Sequence, residues 1–296
     1  MQIGIDLGAT KIEYVVLSNN RKEILRKRVN TPNNYKSLIK EIKNIVFLLD
    51  KKMKKKLPVG ICHPGSIDII TGRVRNSTNA IWLNKKKIKT DLTKILHRKV
   101  FCENDANCFT LSEAIDGSGK KYKNVFGIIL GSGAGGGIVL NKRIITGVNH
   151  FAGEWGHNSL PIFGYPADKK FISNDISKMR IEKFVSGKGI EKLYREKLAA
   201  HEIFKKQKKN TYTKEFIKKF KYRLAKSLIP IIYILDPDVI IFGGGLSNEI
   251  NFLDEVKNII KKNIKINNLK TKFLKPKYGD SSGVRGAAML GKKSIY

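Results

Sequence analysis

The chain has 296 residues, of which 41% are hydrophobic, a size and composition that suit roughly two ordinary domains and exclude a disordered protein. Its formal charge is +33, but lysines recur in nearly every polar stretch without interleaved aromatics or a DNA-reading module, so no specific nucleic-acid partner is expected. The longest apolar runs, 229–235 and 239–242, fall far short of the ~20 residues that span a bilayer, no signal-peptide pattern opens the chain, and Cys62, Cys102 and Cys108 form no CxxC pair. The expectation is a cytoplasmic protein with free, buried thiols and no membrane partner.

Three strands open the chain, at 2–7, 11–17 and 23–29, the last pair joined through Ser18-Asn19-Asn20; this reads as an antiparallel meander. Leu38, Ile42, Ile45 and Leu49 fall at helical spacing and predict a helix with lysines on its outer face. Val59-Gly60-Ile61-Cys62 is a short strand stopped by Pro64-Gly65. A helix is expected over 107–115, broken by Asp116-Gly117-Ser118-Gly119, where the boundary between two lobes is placed. A strand at 124–130 then runs into Gly131-Ser132-Gly133-Ala134-Gly135-Gly136-Gly137 and a further strand at 138–140. Apolar positions from Phe216 to Leu235 predict a helix over 214–235, kinked at Pro230. Val239-Ile240-Ile241-Phe242 is a buried strand leading to Gly243-Gly244-Gly245, and a short final helix begins near Ser281. The recurrence of a glycine-turn hairpin, once per half, points to a duplicated actin-like nucleotide-binding architecture.

Asp6-Leu7-Gly8-Ala9-Thr10-Lys11 places a carboxylate at a strand end, small residues in the turn, and a hydroxyl and an amine beyond. Amides of such a turn can hold phosphate oxygens while Asp6 holds Mg²⁺ through water; an ordinary hairpin uses the same residues. The stretch 131–137 contains five glycines in seven positions, more than a turn needs, so the reading is a loop opened for a polyphosphate. It has neither P-loop spacing nor the dinucleotide fingerprint. Asp105 is the candidate general base and Asn104 a substrate ligand, although Asn104 or Asp105 would also serve as a helix cap. Glu154 and His157, in the glycine-flanked Gly153-Glu154-Trp155-Gly156-His157, are suited to gripping sugar hydroxyls.

These segments, with Trp82-Leu83-Asn84, Ile234-Leu235-Asp236-Pro237-Asp238-Val239 and Gly279-Asp280-Ser281-Ser282-Gly283-Val284-Arg285-Gly286, resemble the ROK family of sugar kinases and regulators, with the fructokinase and manno(fructo)kinase group nearest. The resemblance implies an α/β, two-lobed actin-like ATPase (ribonuclease H-like) fold with a nucleotide and sugar cleft between the lobes. Residues 1–116, joined by the helix at 281–296, would form the first lobe and 117–280 the second. It also implies Asp105 as base, and Gly65, Asn79, Asn104, Glu154, His157 and Glu182 around the sugar. ATP, with Mg²⁺, would lie against Asp6, Gly8, Thr10, Lys11, Gly131, Ser132, Gly133 and the Gly243-Gly244 turn. A homodimer is expected.

The family's kinases usually bind zinc through three cysteines in a CxCGxxGC stretch and a histidine. Here the stretch before Ile181-Glu182 reads Ser173-Asn174-Asp175-Ile176-Ser177-Lys178-Met179-Arg180, so zinc is not expected, and Arg180 is free to pair with Asp175 or Glu182. The resulting expectation is phosphorylation of a free hexose at its primary hydroxyl, with D-fructose the leading acceptor. Glucose, mannose and N-acetylhexosamines are the alternatives within the same chemistry. A sugar-sensing repressor would carry a helix-turn-helix ahead of the first hairpin, which here begins at residue 3; a decayed kinase is the remaining alternative.

Overall fold

The computed structural model describes residues 1–77, 80–161, 166–207, 210–249 and 251–291. Its first half runs β1 (Gln2–Leu7), β2 (Lys11–Leu17), β3 (Glu23–Asn30), α1 (Tyr35–Met53), β4 (Val59–His63), β5 (Ser66–Ile67), β6 (Val74–Arg75), α2 (Ile88–Leu96), β7 (Val100–Asn104) and α3 (Asp105–Ile115). Its second half runs β8 (Asn124–Leu130), β9 (Ala134–Leu140), β10 (Arg143–Ile145), α4 (Glu182–Val185), α5 (Gly187–Leu193), α6 (Ala200–Lys206), α7 (Thr211–Leu235), β11 (Val239–Gly243), α8 (Leu253–Ile264), β12 (Lys272–Leu274) and α9 (Ser282–Met289).

Two five-stranded sheets result, ordered β3-β2-β1-β4-β7 and β10-β9-β8-β11-β12. In each, three strands form an antiparallel meander and the innermost continues into two parallel neighbours. The duplication expected from the two hairpins is thus a duplication of whole sheets. The spacing of Leu38, Ile42, Ile45 and Leu49 does bury one face of α1, and α7 continues through Pro230 to Asp236, whose left-handed backbone (φ 40°) ends it.

The apolar residues gather in three clusters, one under each sheet and a third that belongs to both. That third cluster joins Val15, Leu17 and Cys62 of the first sheet to Val125, Val139 and Ile241 of the second through α3 and α9. Glycines let these layers approach. A Cβ at Gly4 would lie 2.6 Å from the Ala288 amide of α9, and one at Gly137 would lie 2.7 Å from the Ala106 carbonyl of α3. The sequence reading assigned the glycines at 135–137 to a phosphate loop; all three lie within β9, where Gly135 still borders the cleft with the turn but Gly136 and Gly137 serve packing. Gly136 makes room for Trp155, 2.6 Å from its hypothetical Cβ, and Gly137 for Thr110, at 2.5 Å. Only Gly131, Ser132 and Gly133 form the turn.

The chain crosses between the halves after α3 and again before α9, and one carboxylate binds both crossings. Glu113 is fully buried. Its Oε2 accepts from the Ser118 amide (2.8 Å) and the Lys277 amide (2.9 Å), and its Oε1 from the Tyr278 amide (3.1 Å) and the Ser282 hydroxyl (2.8 Å). Gly117 is required beside it, since a Cβ there would overlap the Glu113 carboxylate. Glu113→Ala strips partners from three amides and a hydroxyl, and each buried donor left unsatisfied costs about 1–3 kcal/mol. A loss of at least about 3 kcal/mol in denaturant unfolding is expected, with Gly117→Ala similarly destabilised; a change under about 1 kcal/mol in both would refute the role.

Candidate active site

The first site residues stand where β7 meets α3. Asn104 caps the helix, its Oδ1 accepting from the Asn107 amide at 2.7 Å, and Asp105 is the first helical residue, its Oδ1 accepting from the Ala106 amide at 2.9 Å. The cap and the ligand readings of Asn104 are compatible, because the cap fixes the backbone that aims Asp105. Behind them the buried Glu103 accepts from Asn107 Nδ2 at 2.6 Å. Across the cleft, the indole Nε1 of buried Trp155 donates to the Gly135 carbonyl at 2.8 Å, pinning the segment 153–157 to β9. Gly153, at φ 89°, has the left-handed backbone that this turn needs.

Nine of the residues singled out from sequence surround one cleft of about 300 Å³: Gly65, Asn104, Asp105, Gly131, Ser132, Gly133, Glu154, His157 and Glu182. Glu154 Oε2 lies 3.7 Å from His157 Nδ1. Glu182 lies over the β8–β9 turn, its Oε2 3.4 Å from where a Cβ on Gly133 would stand. Pro64, Ser66, Asn76 and Ile129 also line the cleft and were not foreseen; Pro64 and Ser66 flank Gly65 and were legible as its turn. Asn79 lies outside the described residues.

The carboxylates feel one another. Asp105 opens onto the cleft yet is enclosed by protein on its other sides, and burial raises its pKa. Burial also raises Glu154; His157 opposes this, while Asp105 and Glu182 add to it. Asp6, at the end of β1, is pushed up to about 7 by burial first and then by the charge of Asp105. Asp6 therefore belongs electrostatically to the same site. Gly8, Thr10 and Lys11 form the β1–β2 turn beyond it, where the Gly8 amide donates to the Lys11 carbonyl at 3.0 Å; they do not line the cleft.

A second cavity, of about 480 Å³, lies on the other side of the same β8–β9 turn and shares Gly131 and Ser132 with the first. Gly187, Lys188, His201, Gly245 and Leu246 are among its walls; of these only Gly245, read from sequence with Gly243 and Gly244 as a turn that lets the backbone approach a ligand, was anticipated, although Ser186-Gly187-Lys188-Gly189 is a glycine-spaced helix start. Gly243 and Gly244, expected to face the nucleotide, do not line it. Gly243 makes room for the Phe109 ring, and Gly244, at φ 84°, turns the chain so tightly that a Cβ there would lie 2.5 Å from the Leu130 carbonyl oxygen. Their neighbour Gly245 is the one that faces the cavity.

The segment between His157 and Glu182 is tied down by protein contacts. Leu160 N donates to the Met179 carbonyl and Ile181 N to the Asn158 carbonyl, both at 2.8 Å. Farther along, Arg223 of α7 forms a buried two-pronged ion pair with Asp168, at 2.6 and 3.1 Å, beside the packed rings of Phe171 and Phe184. Of the two partners anticipated for Arg180, the structure selects Glu182, at 3.8 Å.

The model of the ROK family matches residues 2–294. N-acetyl-D-glucosamine kinase of Mannheimia succiniciproducens is 37% identical over 301 residues, covering 98% of this chain and 99% of its own. The enzyme of the same name from Photobacterium profundum is 38% identical over 304 residues, covering 99% and 100%. Among solved structures, ROK hexokinase from Thermus thermophilus superposes with a TM-score of 0.85 at 21% identity, covering 98% of this chain and 97% of that one. The family match over almost the whole length, the full-length relatives and the shared two-sheet architecture lead to one conclusion: the chain belongs to the ROK family and has its actin-like ATPase fold.

Proposed function

We propose that this protein is an ATP-dependent sugar kinase that phosphorylates free N-acetyl-D-glucosamine at its primary hydroxyl. The observation that carries the reading is the pair of cavities back to back on one glycine turn, with a carboxylate on the acceptor side. A phosphoryl donor in the larger cavity would present its terminal phosphate across Gly131, Ser132 and Gly133 to a hydroxyl beside Asp105. The expectation of fructose yields to the acetamido sugar, since the full-length relatives above are N-acetyl-D-glucosamine kinases.

In this reading Asn104, Glu154, His157 and Glu182 hold the ring hydroxyls, and Asp105 accepts the proton of the attacking hydroxyl while orienting it, which is most of what a base does in a loose phosphoryl-transfer transition state. The ionised form of Asp105 is the competent one, so its raised pKa places an acid limb on activity. Asp6 and Asp105 offer the hard oxygen donors that Mg²⁺ takes alongside phosphate oxygens, and their mutual repulsion is what a cation would relieve. When bound there, Mg²⁺ would neutralise charge developing on the phosphates.

Zinc does not fit the donor set at hand. No thiolate lies in the stretch 173–180, the Arg180 guanidinium stands beside Glu182, and among the described residues no group of three His, Cys, Asp or Glu side chains is arranged to hold a metal. The ladder between 158–160 and 179–181 and the Asp168–Arg223 pair hold the segment instead. Elemental analysis of purified protein should find no stoichiometric zinc, with thermal unfolding unmoved by chelator; one tightly held zinc per chain would contradict this.

ADP release measured against N-acetylglucosamine, N-acetylmannosamine, glucose, mannose and fructose should give the highest kcat/KM for N-acetylglucosamine. A higher value for fructose would overturn the acceptor assignment. On the best acceptor, Asp105→Asn should lower kcat by about 10²- to 10⁴-fold with sugar affinity largely kept, and near-normal turnover would remove Asp105 as the base.

Asp6 yields a prediction with a defined sign. Its pKa stands at about 7 in the fold against 3.8 ordinarily, so the stability it contributes is complete below about pH 4 and is lost as pH rises through 7. At pH 8 the ionised carboxylate therefore destabilises the fold, by on the order of 2–4 kcal/mol at about 1.4 kcal/mol per pKa unit. Asp6→Asn should raise the Tm at pH 8, with the gain vanishing towards pH 4. A gain independent of pH, or a loss at pH 8, would show that Asp6 is not held against its ionisation.

A further inference from the structure

One large cavity takes no part in the proposed reaction. It is an open depression of about 560 Å³ where the chain crosses between the halves, and it draws on the β2–β3 turn, the end of α3, the return crossing and α9. Five cationic side chains line it, Arg21, Lys22, Arg26, Lys277 and Arg285, against two carboxylates, Glu23 and Asp116.

The general lysine excess does not account for this lining. The chain has 47 lysines and 11 arginines, yet three arginines and only two lysines face the cavity. Arginine's planar fork is the side chain that grips phosphate oxygens two at a time. The wall is also built rather than loose. Arg285 is only 4% exposed, donates to Asp116 at 2.6 Å and to the Arg21 carbonyl at 2.9 Å, and lies 3.9 Å over the Tyr278 ring. Asp116 is already engaged by Arg285, by the Tyr278 hydroxyl at 2.7 Å and by Arg21 at 3.6 Å.

One further detail concerns the arginines. The Arg285 Nε is buried without a hydrogen-bond partner, and the buried Arg21 Nε has only its 3.6 Å contact with Asp116, a condition that calls for an explanation in a native fold. Asp116 is shared by Arg285 and, more loosely, Arg21, Arg26 is bound to Glu13 and Glu23 lies 4.0 Å from Arg285, so the excess positive charge facing the cavity rests on Lys22 and Lys277, with Arg21 beside them.

We propose that this cavity binds a small phosphate-bearing anion, inorganic phosphate or a phosphate monoester, held between Arg21 and Lys22 of the first half and Lys277 of the return crossing. Its place gives it leverage. Lys277 N is bound to Glu113, the carboxylate that joins the crossings, and Glu113 lies on the helix that begins at Asp105. An anion drawing Lys277 towards the β2–β3 turn therefore acts on the element that carries the cleft's carboxylate. The inference does not rest on the kinase reading or on the acceptor sugar.

The test is equilibrium titration of the full-length protein with inorganic phosphate at ~150 mM salt, where exposed lysine attraction is largely screened. Arg21→Ala combined with Lys22→Ala should weaken saturable phosphate binding by at least about tenfold, without altering turnover measured in the absence of phosphate. Lys261→Ala combined with Lys262→Ala, on a lysine-rich surface elsewhere, should leave phosphate affinity unchanged. Repeating the titration with a hexose 6-phosphate separates the sources, tighter binding assigning the ester and equal or weaker binding the free ion. Absence of saturable binding by the unmodified protein, or equal affinities for the unmodified protein and the Arg21/Lys22 variant, would overturn the proposal.

Discussion

The buried carboxylate of Glu113 is the constraint on which the two halves depend, because the chain passes between them only twice and both passages hang on it. Ser118 on the outward crossing, Lys277 and Tyr278 on the return and Ser282 at the start of α9 all donate to its two oxygens. Four donors match the lone-pair capacity of one ionised carboxylate, so none is left for another partner. The cleft that holds Asp105, Glu154 and Glu182 is bordered from both halves.

Close packing of α3 and α9 explains why the halves are not independent bodies with separate interiors. The third apolar cluster runs through both sheets by way of these helices, and its layers come within van der Waals reach only because Gly4, Gly137 and their like carry no Cβ. α3 thereby serves two roles at once. Its apolar side, with Cys108, Phe109 and Leu111, lies in the shared core, and its first residue is the carboxylate in the cleft. Motion that displaces α3 relative to the second sheet must alter both.

Much of this was legible in the sequence, for physical reasons that also mark where reading fails. Apolar runs bounded by turn residues located β1, β2 and β8, which are buried on both faces, helical spacing located α1, whose one face is buried, and the recurrence of a hairpin foretold the repeated sheet. Nine site residues converge because turn residues and caps carry their geometry locally, as Gly65 and Asn104 do. Gly136, Gly137 and Gly243 were assigned to phosphate since sequence reveals that a Cβ is absent and not what comes close. The answer was a helix for Gly137 and Gly243, and an indole for Gly136. Glu113 gave no signal, because its four partners lie up to 169 positions away.

The same limit bears on how the sugar-side segment is held without thiolates. The protein contacts that hold its described parts are a short backbone ladder at 158–160, the Arg180–Glu182 contact and the Asp168–Arg223 pair. These are unequal. The Arg180–Glu182 pair is half exposed at 3.8 Å and contributes ~1 kcal/mol or less. Arg223 and Asp168 are almost fully enclosed, so losing either partner would strand a charge at a cost of about 3–5 kcal/mol. The stronger of these contacts is therefore the one made from α7, and Arg180 adds only a weak, half-exposed contact to Glu182.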